Sequence, residues 1–206
     1  AYLIGKKGFW KNSFIVTPDV LVPRPETETL VDAILNENLQ DKTLLELGTG
    51  SGAISISIAQ ENKDCFIFAT DISIKSILVA KQNAEKFCCE NIIFLNHDWN
   101  NEWLFPQVDY LISNPPYVDK EATTGKEEGI WYEPEKALFS KDKGLSDLKL
   151  ILSKGKNFLN ENGKVYLEHA PDQYEELNKF AMENGYLNFS NLNDLNGDKR
   201  VSIYQC

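Results

Sequence analysis

KTLLELGTGSGAISISIAQ, Lys42 to Gln60, decides the reading of this chain. KTLLEL is a short apolar strand, GTGSG stops it, and AISISIAQ continues as a buried helix. Gly48, Gly50 and Gly52 let the backbone turn sharply and approach a ligand closely, because no Cβ stands in the way. The spacing is GxGxG and does not give the GxGxxG that seats a pyrophosphate on a helix N-terminus. A nucleotide-like ligand without a pyrophosphate is therefore expected, and S-adenosylmethionine is one. Gly48, Thr49, Gly50, Ser51 and Gly52 are its expected cradle, with Glu46 receiving its charged amino acid end.

Outward from this turn, apolar runs alternate with helical patterns as in βα units, so an α/β fold with a mostly parallel sheet is expected. CFIFATD (Cys65 to Asp71) is the next strand, and SIKSILVAKQNAEKF follows as a helix behind a serine cap. Asp71 ends its strand roughly 20 residues after the glycines, the position from which a carboxylate reaches two ribose hydroxyls. IIFLN and VDYLIS supply two more strands. Between them, Asp98 is expected to accept from an adenine amino group and Trp99 to cover the ring. LSDLKLILSKGKNFL reads as a helix, GKVYLEH as a strand and QYEELNKFAMENG as a helix. LNFSNLNDLNGDKRVSIYQ reads as two antiparallel strands joined around Asn196-Gly197. Asp119 to Pro134 has no clear periodicity and is longer than an ordinary connection, so it is either a substrate loop or a disordered one.

Composition narrows the partners. The chain has 206 residues, suited to one domain, and a formal net charge of -10. An acidic surface repels phosphate backbones and anionic lipid, so no direct nucleic-acid or membrane partner is expected. Cys65, Cys88, Cys89 and Cys206 show no metal or disulfide spacing, which fits reduced thiols in the cytoplasm and no metal. His97 and His169 have no second catalytic partner in sequence and read as structural. The chain opens at Ala1 and its only methionine is Met182, so it reads as part of a longer protein. Residues 1–22 are expected as a linker or hairpin segment, and residues 23–206 as the catalytic domain.

The second informative stretch is ISNPPYV, Ile112 to Val118, where a strand runs into an amide, two prolines and a tyrosine. In open α/β sheets, ligands gather at the carboxyl ends of the strands beside the switch in strand order. Asn114 offers a side-chain acceptor there, and the Pro115 carbonyl a second one held by fixed φ angles. Two such acceptors grip the two N–H groups of a planar amine or amide, while Tyr117 packs on the flat group. An amide nitrogen is a poor nucleophile, so orientation must supply much of the rate. PRPETE, Pro23 to Glu28, explains itself largely as a helix start, though Arg24 fits less well there and is expected to wall the site. Glu133 and Glu135 are either solvated charges or groups that order the loop over substrate.

The chain resembles the class I S-adenosylmethionine-dependent methyltransferases, and within them the HemK/PrmC protein-(glutamine-N5) methyltransferases of class-1 peptide chain release factors. NPPY alone is shared with enzymes that methylate adenine in DNA or RNA. The discriminating stretches are AYLIGKKGFW, VLVPRPETETLVD, YEPEKALFSKDKGL, LEHAPDQ and DKRVSIYQ, which together span essentially the whole chain. The resemblance implies a Rossmann-like fold with a seven-stranded, mostly parallel sheet, a C-terminal antiparallel hairpin and helices on both faces. It implies S-adenosylmethionine as methyl donor, S-adenosylhomocysteine as product, and the glutamine of a release-factor GGQ loop as acceptor. Asn114, Pro115, Pro116 and Tyr117 then contact that glutamine, with Asn114, Pro115 and Tyr117 taking the catalytic part and Asn114 also touching the cofactor. A monomer is expected. Relatives are expected to carry a small helical domain ahead of the position of Ala1, outside this chain. The alternatives are an adenine methyltransferase and a cofactor-binding scaffold without catalysis, with a dehydrogenase more distant.

Overall fold

The computed structural model of the chain describes residues 1–122 and 132–206. The expected long loop lies mostly outside these residues. A two-stranded hairpin, β1 (Lys6–Phe9) and β2 (Asn12–Ile15), opens the chain. A tight turn, Pro25–Thr27, leads into α1 (Glu28–Leu35). There follow β3 (Thr43–Leu47), α2 (Ala53–Glu61), β4 (Phe66–Asp71), α3 (Ile74–Lys86), β5 (Ile92–Asn96) and β6 (Val108–Ser113). A short parallel ribbon, β7 (Val118–Asp119) with β8 (Phe139–Ser140), brackets the one-turn α4 (Glu135–Leu138). The remainder is α5 (Ser146–Gly155), β9 (Leu159–Glu168), α6 (Tyr174–Glu183), β10 (Asn188–Asn193) and β11 (Lys199–Gln205).

Seven strands form the main sheet in the order β10-β11-β9-β6-β3-β4-β5. β9, β6, β3, β4 and β5 are parallel, and β11 is antiparallel to both β9 and β10. This is the architecture expected from the alternating apolar runs. The ribbon and α4 were not, because two-residue strands carry too few side chains to print a pattern.

The alternation of side chains along β3 explains the two layers. Leu44 joins a core with Phe9, Phe14, Leu30 and Ile56, whereas Leu45 and Leu47 join Leu148, Ile151 and Leu177 on the opposite face. α1 and α2 therefore cover one face of the sheet, and α5 and α6 the other. α2 is buried from Ala53 through Ala59, so it needs no polar stripe. α3 buries Ser76, Ile77, Val79, Ala80, Asn83 and Ala84, the spacing of one helical face. Asn83 is fully buried because its amide replaces a missing strand partner: Oδ1 accepts from Ile15 N–H at 2.7 Å, while Nδ2 donates to Ile15 O at 3.0 Å and Ser51 O at 2.9 Å. One side chain thus joins the hairpin to the glycine turn. His169 is also structural, with its ring nitrogens on Ala170 O and Ser202 Oγ at 2.8 and 2.7 Å. His97 packs edge-on against Phe105.

Strand order reverses at β3, which has β6 on one side and β4 on the other. Leu47 pairs with Thr70 and Ser113, and Ser113 with Leu167. The register therefore sets Gly48, Asp71, Asn114 and Glu168 along one rim, at the switch point. Among the described residues no helix is long and apolar enough to cross a membrane.

Candidate active site

Two large cavities and a small one adjoin at this rim, and Asn114 lines all three. The largest, about 700 Å³, runs past Gly48, Gly50, Asp71, Ser73 and Trp99. The small one lies over Thr49, Gly50 and Ser51 and reaches Arg24 and Thr27. The third, about 490 Å³, is walled by Pro115, Tyr117 and Val118 and by the charged Arg24, Glu168 and Arg200.

The glycine turn is built for close approach. Gly48, Gly50 and Gly52 take φ of 78°, 55° and 80°, and a Cβ at Gly50 would meet nothing within 4 Å, leaving its backbone open to the cavity. Gly52, also expected to touch the ligand, lines none of the three cavities. Its conformation starts α2, and a Cβ there would stand 2.8 Å from Ile56 Cδ1 and 3.2 Å from Ala80 Cβ, so it serves helix packing.

Asp71 does two jobs. Its Oδ2 accepts from Gly50 N–H at 2.9 Å and its Oδ1 from Ser73 N–H at 2.8 Å, which locks the glycine turn to the start of α3. Each oxygen keeps a lone pair for the cavity it lines. Burial raises its carboxyl pKa.

Glu46 lies beneath the turn and lines none of the cavities. It is buried, accepts from Thr49 Oγ1 at 2.7 Å and from the Ser55 hydroxyl, and its Oε1 has no hydrogen-bond partner among the described residues. An orphaned carboxylate oxygen is costly, and an ammonium group at the turn is the kind of donor that satisfies it. Burial pushes the Glu46 carboxyl up to about 7, against about 4.5 unfolded. A carboxyl with a raised folded pKa binds its proton more tightly in the folded state, so its contribution to stability falls as pH rises from about 4.5 to about 7. Glu46→Gln is therefore expected to remove a descending component, on the order of 3 kcal/mol, from the stability–pH curve across that window. Denaturant unfolding of both proteins at pH 5 and pH 8 checks this, and an unchanged pH difference contradicts it.

Trp99 packs its indole against Gly48, whose Cβ would come within 3.2 Å of the ring atom Cζ3, and its Nε1 donates to Asp147 Oδ1 at 3.0 Å. It belongs to the core and to the cavity wall at once. Asp98, the expected adenine partner, is instead turned onto its own loop, where Oδ1 accepts from Asn100 N and Nδ2 at 2.9 and 2.8 Å, and it lines none of the cavities.

Asn114 stands one residue past β6. Its Nδ2 donates to Thr27 Oγ1 at 3.0 Å, which leaves Oδ1 as the acceptor available to the cavities. Tyr117 donates its hydroxyl to Glu168 Oε1 at 2.9 Å. Burial, with the Glu168 carboxylate beside it, raises the phenol above its ordinary range. Pro115 faces the charged cavity and Pro116 the large one. Gln173 Nε2 donates to Tyr117 O at 2.9 Å and to Lys143 O at 3.1 Å, tying this segment to the turn before α5. Arg24 forms an ion pair with Glu133, which also accepts from Val22 N–H at 3.0 Å. Glu133 is thus a buried tie and not a solvated charge, whereas Glu135 pairs at the surface with Lys120.

Thr27, Glu168, Gln173 and Arg200 line or support this site and were not singled out from sequence. The only signal was their presence in the stretches PRPETE, LEHAPDQ and DKRVSIYQ.

Comparison with known proteins bears on the family and the fold. A family model described as Methyltransferase small domain matches residues 25–132. The release factor glutamine methyltransferase of Francisella tularensis is 36% identical over 209 residues, spanning 100% of this chain and 73% of the relative. That of Coxiella burnetii is 38% identical over 98% of the chain and 73% of the relative, and that of Escherichia coli is 33% identical over 98% and 74%. The chain belongs to the release factor glutamine methyltransferase family. The glycine turn, NPPY and PRPETE, far apart in sequence, meet at one rim of this chain. Solved structures bear on the fold alone. A methyltransferase from Pyrococcus furiosus superposes with a TM-score of 0.69 at 19% identity, covering 93% of this chain and 87% of its own. The magnesium protoporphyrin IX methyltransferase of Synechocystis, solved with bound S-adenosylmethionine, gives 0.58 at 16% identity over 86% and 76%.

Proposed function

We propose that this protein transfers a methyl group from S-adenosylmethionine to the side-chain amide nitrogen of a glutamine in a peptide chain release factor, the GGQ-loop glutamine of the class-1 factors. The observation that carries the reading is the Asn114 carboxamide, held by Thr27 with its oxygen free at the junction of three cavities. The family relationship supplies the substrate. The orphaned Glu46 Oε1 and the open backbone at Gly50 suit the ammonium and the close approach of the donor, and Asp71 and Trp99 suit its ribose and ring.

When bound, S-adenosylmethionine supplies a methyl on a sulfonium, an electrophile that needs no metal. Asn114 Oδ1 and the Pro115 carbonyl accept the two N–H groups of the glutamine amide. That grip fixes the plane of the amide, and orientation of this kind supplies up to roughly 7–11 kcal/mol in well-aligned intramolecular models. The same acceptors stabilise the positive charge that develops on nitrogen as the nitrogen–methyl bond forms and the methyl–sulfur bond breaks, and one amide proton then leaves to solvent, giving a neutral N-methyl amide. Tyr117 walls the pocket, held by Glu168. The charged cavity bounded by Arg24 and Arg200 receives the backbone around the glutamine. The protein acts as a monomer in the cytoplasm, and its acidity favours a protein substrate over nucleic acid.

The test is mass spectrometry of a release factor incubated with the protein and S-adenosylmethionine. One added methyl on the glutamine amide is expected. Methyl transfer to DNA or RNA, with the release factor untouched, contradicts the reading.

A further inference from the structure

Thr27 closes the tight turn Pro25–Thr27 that leads into α1, and its φ and ψ of −67° and −18° are already helical. Here the side chain makes no capping bond, is 4% exposed, and accepts from Asn114 Nδ2 across 87 residues of sequence. A hydroxyl that accepts still has a proton to place. Its neighbour is the carboxylate of Glu168, itself fully buried, whose Oε1 takes the Tyr117 hydroxyl and whose Oε2 closes no hydrogen bond among the described residues. One acid therefore stands under both ends of the segment Asn114 to Tyr117.

The consequence concerns the two faces of the asparagine amide. Only its oxygen accepts a substrate N–H, and an amide free to turn over would present donors half the time. With the Thr27 proton drawn toward Glu168, the lone pairs of Thr27 Oγ1 face Nδ2. A flipped amide would set oxygen against oxygen there. We infer that Glu168 and Thr27 are positioning residues for the transfer: the acid orients the hydroxyl, and the hydroxyl holds Asn114 with Oδ1 toward the reacting nitrogen. This rests on the reading of Asn114 as the substrate's acceptor.

Thr27→Val removes the hydroxyl at nearly constant shape, and Thr27→Ser keeps it. With a release factor as substrate, the valine variant is expected to lose about 10–100-fold in kcat with KM within about threefold, because misorientation acts on the bound substrate. The serine variant stays within about threefold of the parent. Without substrate, NMR of the Asn114 side-chain amide should show its protons losing protection from solvent exchange in the valine variant and keeping it in the serine variant. Valine and serine falling alike, neither falling, or unchanged Asn114 amide signals in the valine variant overturn the inference. If the valine variant does not fold, Glu168→Gln is read instead: a fall of about tenfold or more in kcat supports the inference, and a kcat within threefold overturns it. Failure of the unmodified protein to methylate a release factor would sink the proposed function, and the amide signals would still test the positioning of Asn114.

Discussion

Asn114→Ala should lower kcat by about 10²–10³-fold, the scale seen when one preorganised polar group is removed from a site of developing charge. The side chain is half-exposed to the cavities and carries one hydrogen bond to Thr27, so its loss opens no large void in the core. Thermal stability should therefore change little. Affinity for S-adenosylhomocysteine should fall by less than about tenfold, because the glycine turn and Asp71 remain in place. Steady-state kinetics, calorimetric titration and a melting curve separate these quantities. A kcat within tenfold of the parent would mean that the nitrogen is held by other groups.

The second large effect is expected at Gly144, in the stretch YEPEKALFSKDKGL. It has φ of 84°, and a Cβ there would stand 2.0 Å from the Tyr117 carbonyl oxygen and 2.6 Å from Gln173 Nε2. Those are the two atoms whose bond joins the NPPY segment to Gln173, which in turn holds the turn before α5 through Lys143 O. Gly144→Ala must displace backbone, so a destabilisation of about 3 kcal/mol is expected. That corresponds to a melting shift of about 6–12 °C for a chain of this size. Activity should fall further than stability alone explains, since the displaced atom belongs to Tyr117. Calorimetry and kcat measured well below the melting point check both parts, and a variant with parental melting and parental kcat contradicts the geometry.

Some of this was legible in the order of residues and some was not. The glycine turn, Asp71 and Asn114 could be read because each sits at the end of a recognisable strand, and the strand rule then brings them to one rim. Asp98 misled because a carboxylate after a strand looks the same whether it faces a ligand or caps its own turn, as it does on Asn100. Gly52 misled in the same way: positive φ is needed there, but for packing on Ala80. Thr27 was hidden by a simpler explanation, a helix start, which its hydroxyl turns out not to serve. Glu168 could not be placed at all, since its contact with Tyr117 spans 51 residues and depends on the register of β6 against β9. Side chains that act on a ligand through another side chain leave no periodic trace.

Methyl transfer turns on how Asn114 meets its substrate. A structure of the protein with S-adenosylhomocysteine and a glutamine-bearing peptide from a release factor measures this directly. The glutamine amide nitrogen is expected within about 3.2 Å of Asn114 Oδ1, with Nδ2 still on Thr27. A bound glutamine with its amide nitrogen out of hydrogen-bonding reach of Asn114, or an Asn114 presenting Nδ2 to it, would contradict this.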